Sequence, residues 1–221
     1  ISNTWNVIFT HGPASNSGDF AVDSSENIYV AGAGNNLNSI QKFSSTGSDQ
    51  GIFSSLNFHP RSIVIDNSDN IHVFGYGNSQ HYLNIYDTSG QLVNSFSTGN
   101  NRGTMTIDNQ GHIWLFDNMT IHKYDSSGNL LFTTTTTTDN RHHEYAGIAV
   151  NSNGIIFAPN LNESEINLFD SSGNFIKSFG SPGTGIGEFA EWNSSGGFNV
   201  AGPMDVDIDS AGNIYVAGYG G

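Results

Sequence analysis

The chain contains one short pattern five times, and this repetition restricts the fold more than any other feature of the sequence. The copies read FAVDSSENIYVAG, IVIDNSDNIHVFG, MTIDNQGHIWLFD, IAVNSNGIIFAPN and VDIDSAGNIYVAG. An aspartate or asparagine, here called the anchor, stands fourth in every copy, at Asp23, Asp66, Asp108, Asn151 and Asp209. Successive anchors are 43, 42, 43 and 58 residues apart. A period of this length indicates a repeated supersecondary unit.

Each copy predicts two strands joined by a tight turn. Apolar residues alternate before the anchor, which is the period of a strand, and turn-forming residues follow it. A second hairpin with a glycine in its turn follows the first four copies, at IQKFSSTG, LNIYDTSG, IHKYDSSG and INLFDSSG. Four short antiparallel strands per repeat are typical of a propeller blade. We therefore predict an all-β fold, a β-propeller of five blades with mostly four antiparallel strands, in which residues 1–221 form a single domain.

The two ends of the chain predict how the ring closes. TWNVIFTHG at 4–12 resembles LVNSFSTG at 92–99, the last strand of the second blade. We therefore expect the N-terminal strand to pair with the C-terminal strands and close the ring. The fifth copy is followed by no candidate for the third strand of its blade. An incomplete blade, a truncated chain and a strand donated by another chain all explain this.

The repeats also resemble a known family. The order of an apolar strand, Asp, Gly-Asn, Ile-Tyr-Val-Ala, then Phe-Asp-x-x-Gly and Phe-Gly-x-x-Gly is similar to that of NHL-repeat β-propellers, most clearly in FGSPGTGIGEF at 179–189. The resemblance covers essentially the whole chain. It implies the fold but not one activity, because that family includes enzymes, RNA-binding proteins and protein-binding scaffolds.

Charge and composition limit the partners. Twenty acidic residues against six basic ones give a net charge of −14, which opposes nucleic-acid binding. The chain has no cysteine, so disulfides and thiolate metal sites are excluded. No apolar run reaches the length of a membrane span.

The abundance of Asn, Ser, Thr and Gly, and the start at Ile1, favour a processed chain in an extracellular or cell-surface location. Glycosylation sequons occur at Asn118, Asn162 and Asn193, either as acceptor sites or by chance in this composition.

Loops that enter the innermost strands gather at one mouth of a propeller channel. The residue seven before the anchor is polar in four copies, and we predict these four as ligand-binding residues: Asn16, His59, Asn101 and Glu144. His59, together with His143 and Glu144, resembles the metal ligands of amidating lyases, where histidines from separate blades hold a metal in the channel. The alternative is that these polar loops only line a hydrated channel.

Two further features stand out. The segment DVDID places Asp205 and Asp207 on one strand, which suggests calcium, although a local hydrogen bond would also satisfy these carboxylates. The long fourth interval contains AEWNSSGGFNVAG, in which Glu191, Trp192 and Asn193 suit stacking and hydrogen bonding to a ligand. The alternative is that Trp192 folds back over a blade.

No catalytic residues can be assigned, because neither a nucleophile motif nor an acid–base pair is recognisable. The leading hypothesis is a non-enzymatic extracellular propeller that binds a protein, a glycan or a copy of itself, without a cofactor other than calcium. The alternative is a metal-dependent lyase or hydrolase that works in the central channel with His59, Glu144 and His143.

Overall fold

The computed structural model describes residues 19–32, 38–99, 103–117, 120–135, 146–190 and 202–219. These residues form 18 β-strands and no helix, so the predicted all-β class is confirmed for them. Accordingly, none of the described segments has the length and apolar character of a membrane-spanning helix. The N-terminal strand expected at 4–12 lies outside the described residues. The chain divides into two compact units, residues 1–99 and 100–221.

The first unit contains two four-stranded antiparallel sheets. The first sheet is β1 (Phe20–Val22), β2 (Ile28–Ala31), β3 (Ser39–Phe43) and β4 (Asp49–Ser55). The second is β5 (His59–Ile65), β6 (Ile71–Gly77), β7 (Gln80–Tyr86) and β8 (Leu92–Gly99). Strands neighbour one another in chain order, as the two successive hairpins of each repeat predict. Tyr29, Ile40, Phe58 and Ile63 pack together between the two sheets.

The second unit contains two four-stranded sheets and one two-stranded sheet. The strands are β9 (Thr104–Ile107), β10 (Ile113–Asp117), β11 (Thr120–Tyr124) and β12 (Leu130–Thr135), then β13 (Ala149–Val150), β14 (Ile156–Asn160), β15 (Glu165–Phe169) and β16 (Phe175–Phe179), and last β17 (Gly202–Ile208) and β18 (Ile214–Tyr219). One core cluster contains Trp114, Ile148 and Ile156. Another contains Phe157 and Val206. Within this unit, each sheet therefore packs on the next one, as neighbouring blades do.

The anchor closes the turn after the first strand of each blade. In the second blade, the Asp66 carboxylate accepts the amide hydrogens of Ser68 at 2.8 Å and Asn70 at 2.9 Å, and the Asn70 side chain donates to it at 3.0 Å. The two backbone-amide bonds recur at the other four anchors, and this confirms the turn predicted from the repeat.

The fifth blade has two strands among the described residues. β17 pairs with β18 in antiparallel register, with Val206 opposite Val216 and Ile208 opposite Ile214. No described strand pairs with the other side of β18.

Candidate functional site

Four of the five anchors accept a hydrogen bond from a side chain six residues further on. In the third blade the Trp114 indole donates to Asp108 at 2.9 Å. The equivalent side chains of the first, second and fifth blades are Tyr29, His72 and Tyr215. In the fourth blade the anchor is Asn151, and the residue six further on is Phe157, which has no polar atom to donate. A carboxylate anchor therefore always occurs with a polar ring.

These contacts hold the anchor carboxylates in their charged form. Burial alone would raise the pKa of Asp108, but the hydrogen bonds from Trp114, His112 and Gln110 outweigh it and leave the pKa below its ordinary value. Asp66 and Asp23 show the same balance, and their pKa values are lowered as well. Since the folded pKa lies below the unfolded one, each carboxylate stabilises the fold above the ordinary pKa and loses this contribution in acid.

We expect the free energy of unfolding to depend less on acid in Asp108→Asn than in the wild type. The wild type should lose stability as the pH falls below about 4, the ordinary pKa of aspartate, because Asp108 takes up a proton only on unfolding there. Asn151 shows that an amide can hold this turn. Urea unfolding at several pH values between neutral and about 3 gives, for each protein, the slope of the free energy of unfolding against pH. Identical slopes would contradict the role given to Asp108.

The residue four before the anchor joins neighbouring blades. In the first unit, Asp19 accepts the Ser62 hydroxyl at 3.1 Å and the Ile63 amide at 3.0 Å, both from the next blade. In the second unit, the Thr104 hydroxyl donates to the Ala146 carbonyl at 2.6 Å. Gly147 donates its amide to the Met204 carbonyl at 2.8 Å. These polar groups therefore form hydrogen bonds between neighbouring blades, and this gives them a structural role.

Most of the predicted ligand-binding residues lie outside the described residues. This applies to Asn16, Asn101, His143, Glu144, Glu191, Trp192 and Asn193. Their ligand-binding roles therefore remain predictions.

His59 is the described member of the channel set. It begins β5, pairs with Tyr76 of β6, and its side chain is exposed. Its backbone carbonyl lies directly against Gly75, where a Cβ atom would overlap it. No group of three or more histidine or acidic side chains that could hold a metal occurs in the described ranges.

Asp205 and Asp207 lie on β17, and both are exposed. Asp207 accepts the backbone amide of the next residue, Ile208, at 2.7 Å, and Asp205 does the same with Val206 at 2.9 Å. A buried carboxylate without a partner at position 207 would be costly. That cost does not arise, because Asp207 is in contact with solvent.

One of the three sequons lies in the described residues. The side-chain amide nitrogen of Asn162, to which a glycan would be attached, is buried. The Ser164 hydroxyl of the same sequon donates to the Ala190 carbonyl at 3.0 Å. Asn118 and Asn193 lie outside the described ranges.

The outer side of β18, here called the open edge, is the feature that differs most from the other blades. Ile214 is 40% exposed and Tyr215 is 58% exposed, and Ala217 is also exposed. At the position of Tyr215 the other blades carry rings that are 0–4% exposed: Tyr29, His72, Trp114 and Phe157. In those blades a third strand pairs with the second one. The open edge therefore combines exposed apolar side chains with backbone groups that lack a strand partner among the described residues.

Comparison with known proteins identifies the fold. No protein-family model matches the chain, and no curated protein matches its sequence. Among solved structures, a protein of unknown function from Bacteroides caccae matches with a TM-score of 0.62 and 10% identity, over 90% of this chain and 69% of that one.

Two further similar structures are named as lyases. Virginiamycin B lyase from Staphylococcus aureus matches with a TM-score of 0.63 and 12% identity, over 92% of this chain and 64% of that one. A streptogramin B lyase matches with a TM-score of 0.62 and 14% identity, over 90% and 74%. The chain spans about two thirds of the length of these proteins. At such identities the similarity establishes the fold alone, and that fold is a β-propeller.

Proposed function

We propose that this chain is a protein-binding propeller module whose open edge takes up a β-strand from another polypeptide. The observation that supports this is the exposure of Ile214 and Tyr215 at positions where every other blade is covered by its third strand. An edge of this kind binds an extended peptide through backbone hydrogen bonds, and side-chain pockets add specificity. The acidic charge and the composition rich in Asn, Ser and Thr suit a partner outside the cell that is not a nucleic acid.

The geometry identifies a substitution that blocks the edge. In the first blade the Ala31 amide donates to Asp19, whereas the Gly32 amide donates to Ser39 of β3. Amides alternate along a strand, so Val30 also points its amide toward β3. Val216 is equivalent to Val30 in the repeat, so its amide points to the open edge. Proline is tolerated in an edge strand, so Val216→Pro should remove this donor and leave the pairing of β17 with β18 intact.

A library of random displayed peptides, selected on the purified chain, tests the proposal. We expect enriched peptides that bind the wild type and lose about tenfold or more in affinity for Val216→Pro, because one edge hydrogen bond is lost and an added strand meets the proline ring. Far-ultraviolet circular dichroism checks that the variant is folded. Failure to enrich any peptide, or equal binding to both proteins, would reject the open edge as the binding site. Glycan-array binding without peptide binding would favour a carbohydrate ligand.

A second candidate function is that of a lyase. It is supported by the similarity to two structures named as lyases and by the exposed imidazole of His59. Metal analysis of the purified chain, and incubation of the wild type and His59→Ala with virginiamycin B, discriminate between the two functions. Consumption of this compound that depends on His59 would favour the lyase.

A further inference from the structure

The four complete blades show which side chains a third strand places against the second one. The residue opposite the first position of the second strand is aromatic in every blade: Phe43, Tyr86, Tyr124 and Phe169. The residue opposite the third position is an amide or a histidine: Gln41, Asn84, His122 and Asn167. The residue opposite the fourth position is isoleucine or leucine: Ile40, Leu83, Ile121 and Ile166.

The second position divides the blades into two classes. Lys42 lies opposite Tyr29, with its ammonium nitrogen 5.0 Å from the ring centroid. Lys123 lies opposite Trp114 at 4.5 Å. In the other two blades the second strand has His72 or Phe157, and the residue opposite is aliphatic: Ile85 or Leu168.

The chemistry of the ring explains this division. Tyr29 and Trp114 are electron-rich rings that donate a hydrogen bond to a carboxylate, so the ring face and the nearby Asp both attract a cation. An imidazole offers a poorer face to a cation. Phe157 lacks the carboxylate, because its anchor is Asn151.

Blade five belongs to the first class. The Tyr215 hydroxyl donates to the Asp209 carboxylate at 3.0 Å, just as the Tyr29 hydroxyl donates to Asp23 at 3.2 Å. The two blades differ in that the ring of Tyr29 is covered by Lys42 and that of Tyr215 is exposed to solvent.

We infer that the partner strand carries a lysine that lies over the ring of Tyr215. The strand runs antiparallel to β18 and reads, from its N-terminus, Ile or Leu opposite Ala217, an amide residue or a histidine opposite Val216, the lysine opposite Tyr215, and an aromatic residue opposite Ile214. This inference rests on the proposed function, since it names the partner of the same edge. The partner is a second polypeptide with this strand, and its positive charge complements the net charge of −14.

The chain itself supplies a suitable probe. The peptide TIHKYDSSGNLLF, the sequence of residues 120–132, contains such a strand with its following turn. Its Lys123→Met version keeps the length and apolar character of the side chain and removes the charge. A peptide of the same composition in scrambled order controls for nonspecific attraction to an acidic protein.

Each of the three peptides carries a fluorescent label and is titrated with the full chain. Fluorescence anisotropy measures the binding and tests the inference. We expect the Lys123→Met peptide to bind about 3-fold to 10-fold more weakly than the lysine peptide, the size of a cation–π contact at a partly exposed site. Tyr215→Leu should bind both peptides equally, which assigns the difference to this ring. Tyr215 is exposed, so this variant is expected to fold even if Val216→Pro does not.

The outcomes separate the inference from the proposed function. Equal binding of the lysine and methionine peptides to the wild type overturns the inference, and so does equal binding of the scrambled peptide. Absence of binding by all three peptides also overturns it. In each of these cases the proposed function still holds if the displayed library yields peptides that depend on Val216. If the library yields none, the proposed function itself fails.

Discussion

Replacement of Trp114 by alanine should lower the free energy of unfolding by about 3–5 kcal/mol, the usual cost of removing a large buried ring. Trp114 has no exposed surface and belongs to a core cluster of the second unit. The Phe132 ring packs edge-on against it at a centroid distance of 5.6 Å. The Lys123 ammonium lies over the Trp114 ring, 4.5 Å from the ring centroid. Removal of the ring therefore leaves a cavity and a poorly solvated cation together.

Trp114→Phe separates packing from hydrogen bonding. Phenylalanine retains most of the ring but loses the bond to Asp108, so we expect a smaller loss of about 1–2 kcal/mol. Urea unfolding followed by far-ultraviolet circular dichroism measures both variants without relying on tryptophan fluorescence. A loss below about 1 kcal/mol in Trp114→Ala would show that this core closes over the missing ring.

The strands could be predicted from the sequence because their determinants are local. The alternation of apolar residues and the turn chemistry around Asp66 act within a few residues, and the structure forms a strand, turn and strand at this place. The turns that contain a glycine are also predictable from local sequence, and Gly90, in one of them, has a positive φ of 85°. The repeated strands and turns were therefore predictable from local sequence patterns.

The partners of the anchors were missed, although a signal for them was present. The residue six after an Asp anchor is tyrosine, histidine or tryptophan, and the residue six after Asn151 is Phe157. A donor thus appears where a carboxylate requires one. Alignment of this position alongside the anchor would have predicted the bond of Trp114 to Asp108 and explained why this polar atom can be buried.

Other features depend on which surfaces meet in three dimensions. The bond of Asp19 with Ser62 joins residues 43 positions apart in the chain, and the turn of Ser24 contacts Asp69 across 45 positions. Neither contact is indicated by a pattern within a few residues of the sequence. The exposure of Tyr215 is of the same kind, because its sequence matches that of the buried Tyr29 and only the absence of a described third strand distinguishes them.

The second large effect is expected at Gly75 in β6. A Cβ atom at this position would overlap the His59 carbonyl and the ring of Phe58, which is 1% exposed. Neither neighbour can move freely, because one is backbone and the other is enclosed in the core of the first unit. We therefore expect Gly75→Ala to lower the free energy of unfolding by about 3 kcal/mol, the upper part of the range for overpacking.

Two comparisons isolate the cause of this loss. Gly51→Ala introduces a methyl group with no atom within 4 Å at a positive φ of 88°, so it should cost only about 1 kcal/mol of backbone strain. The double variant Gly75→Ala with Phe58→Leu should cost less than the sum of the two single variants, because the smaller side chain at 58 makes room for the new methyl group. Urea unfolding of the wild type and the four variants measures these differences. Full additivity of the Gly75 and Phe58 substitutions would mean that the clash lies with the His59 backbone carbonyl alone.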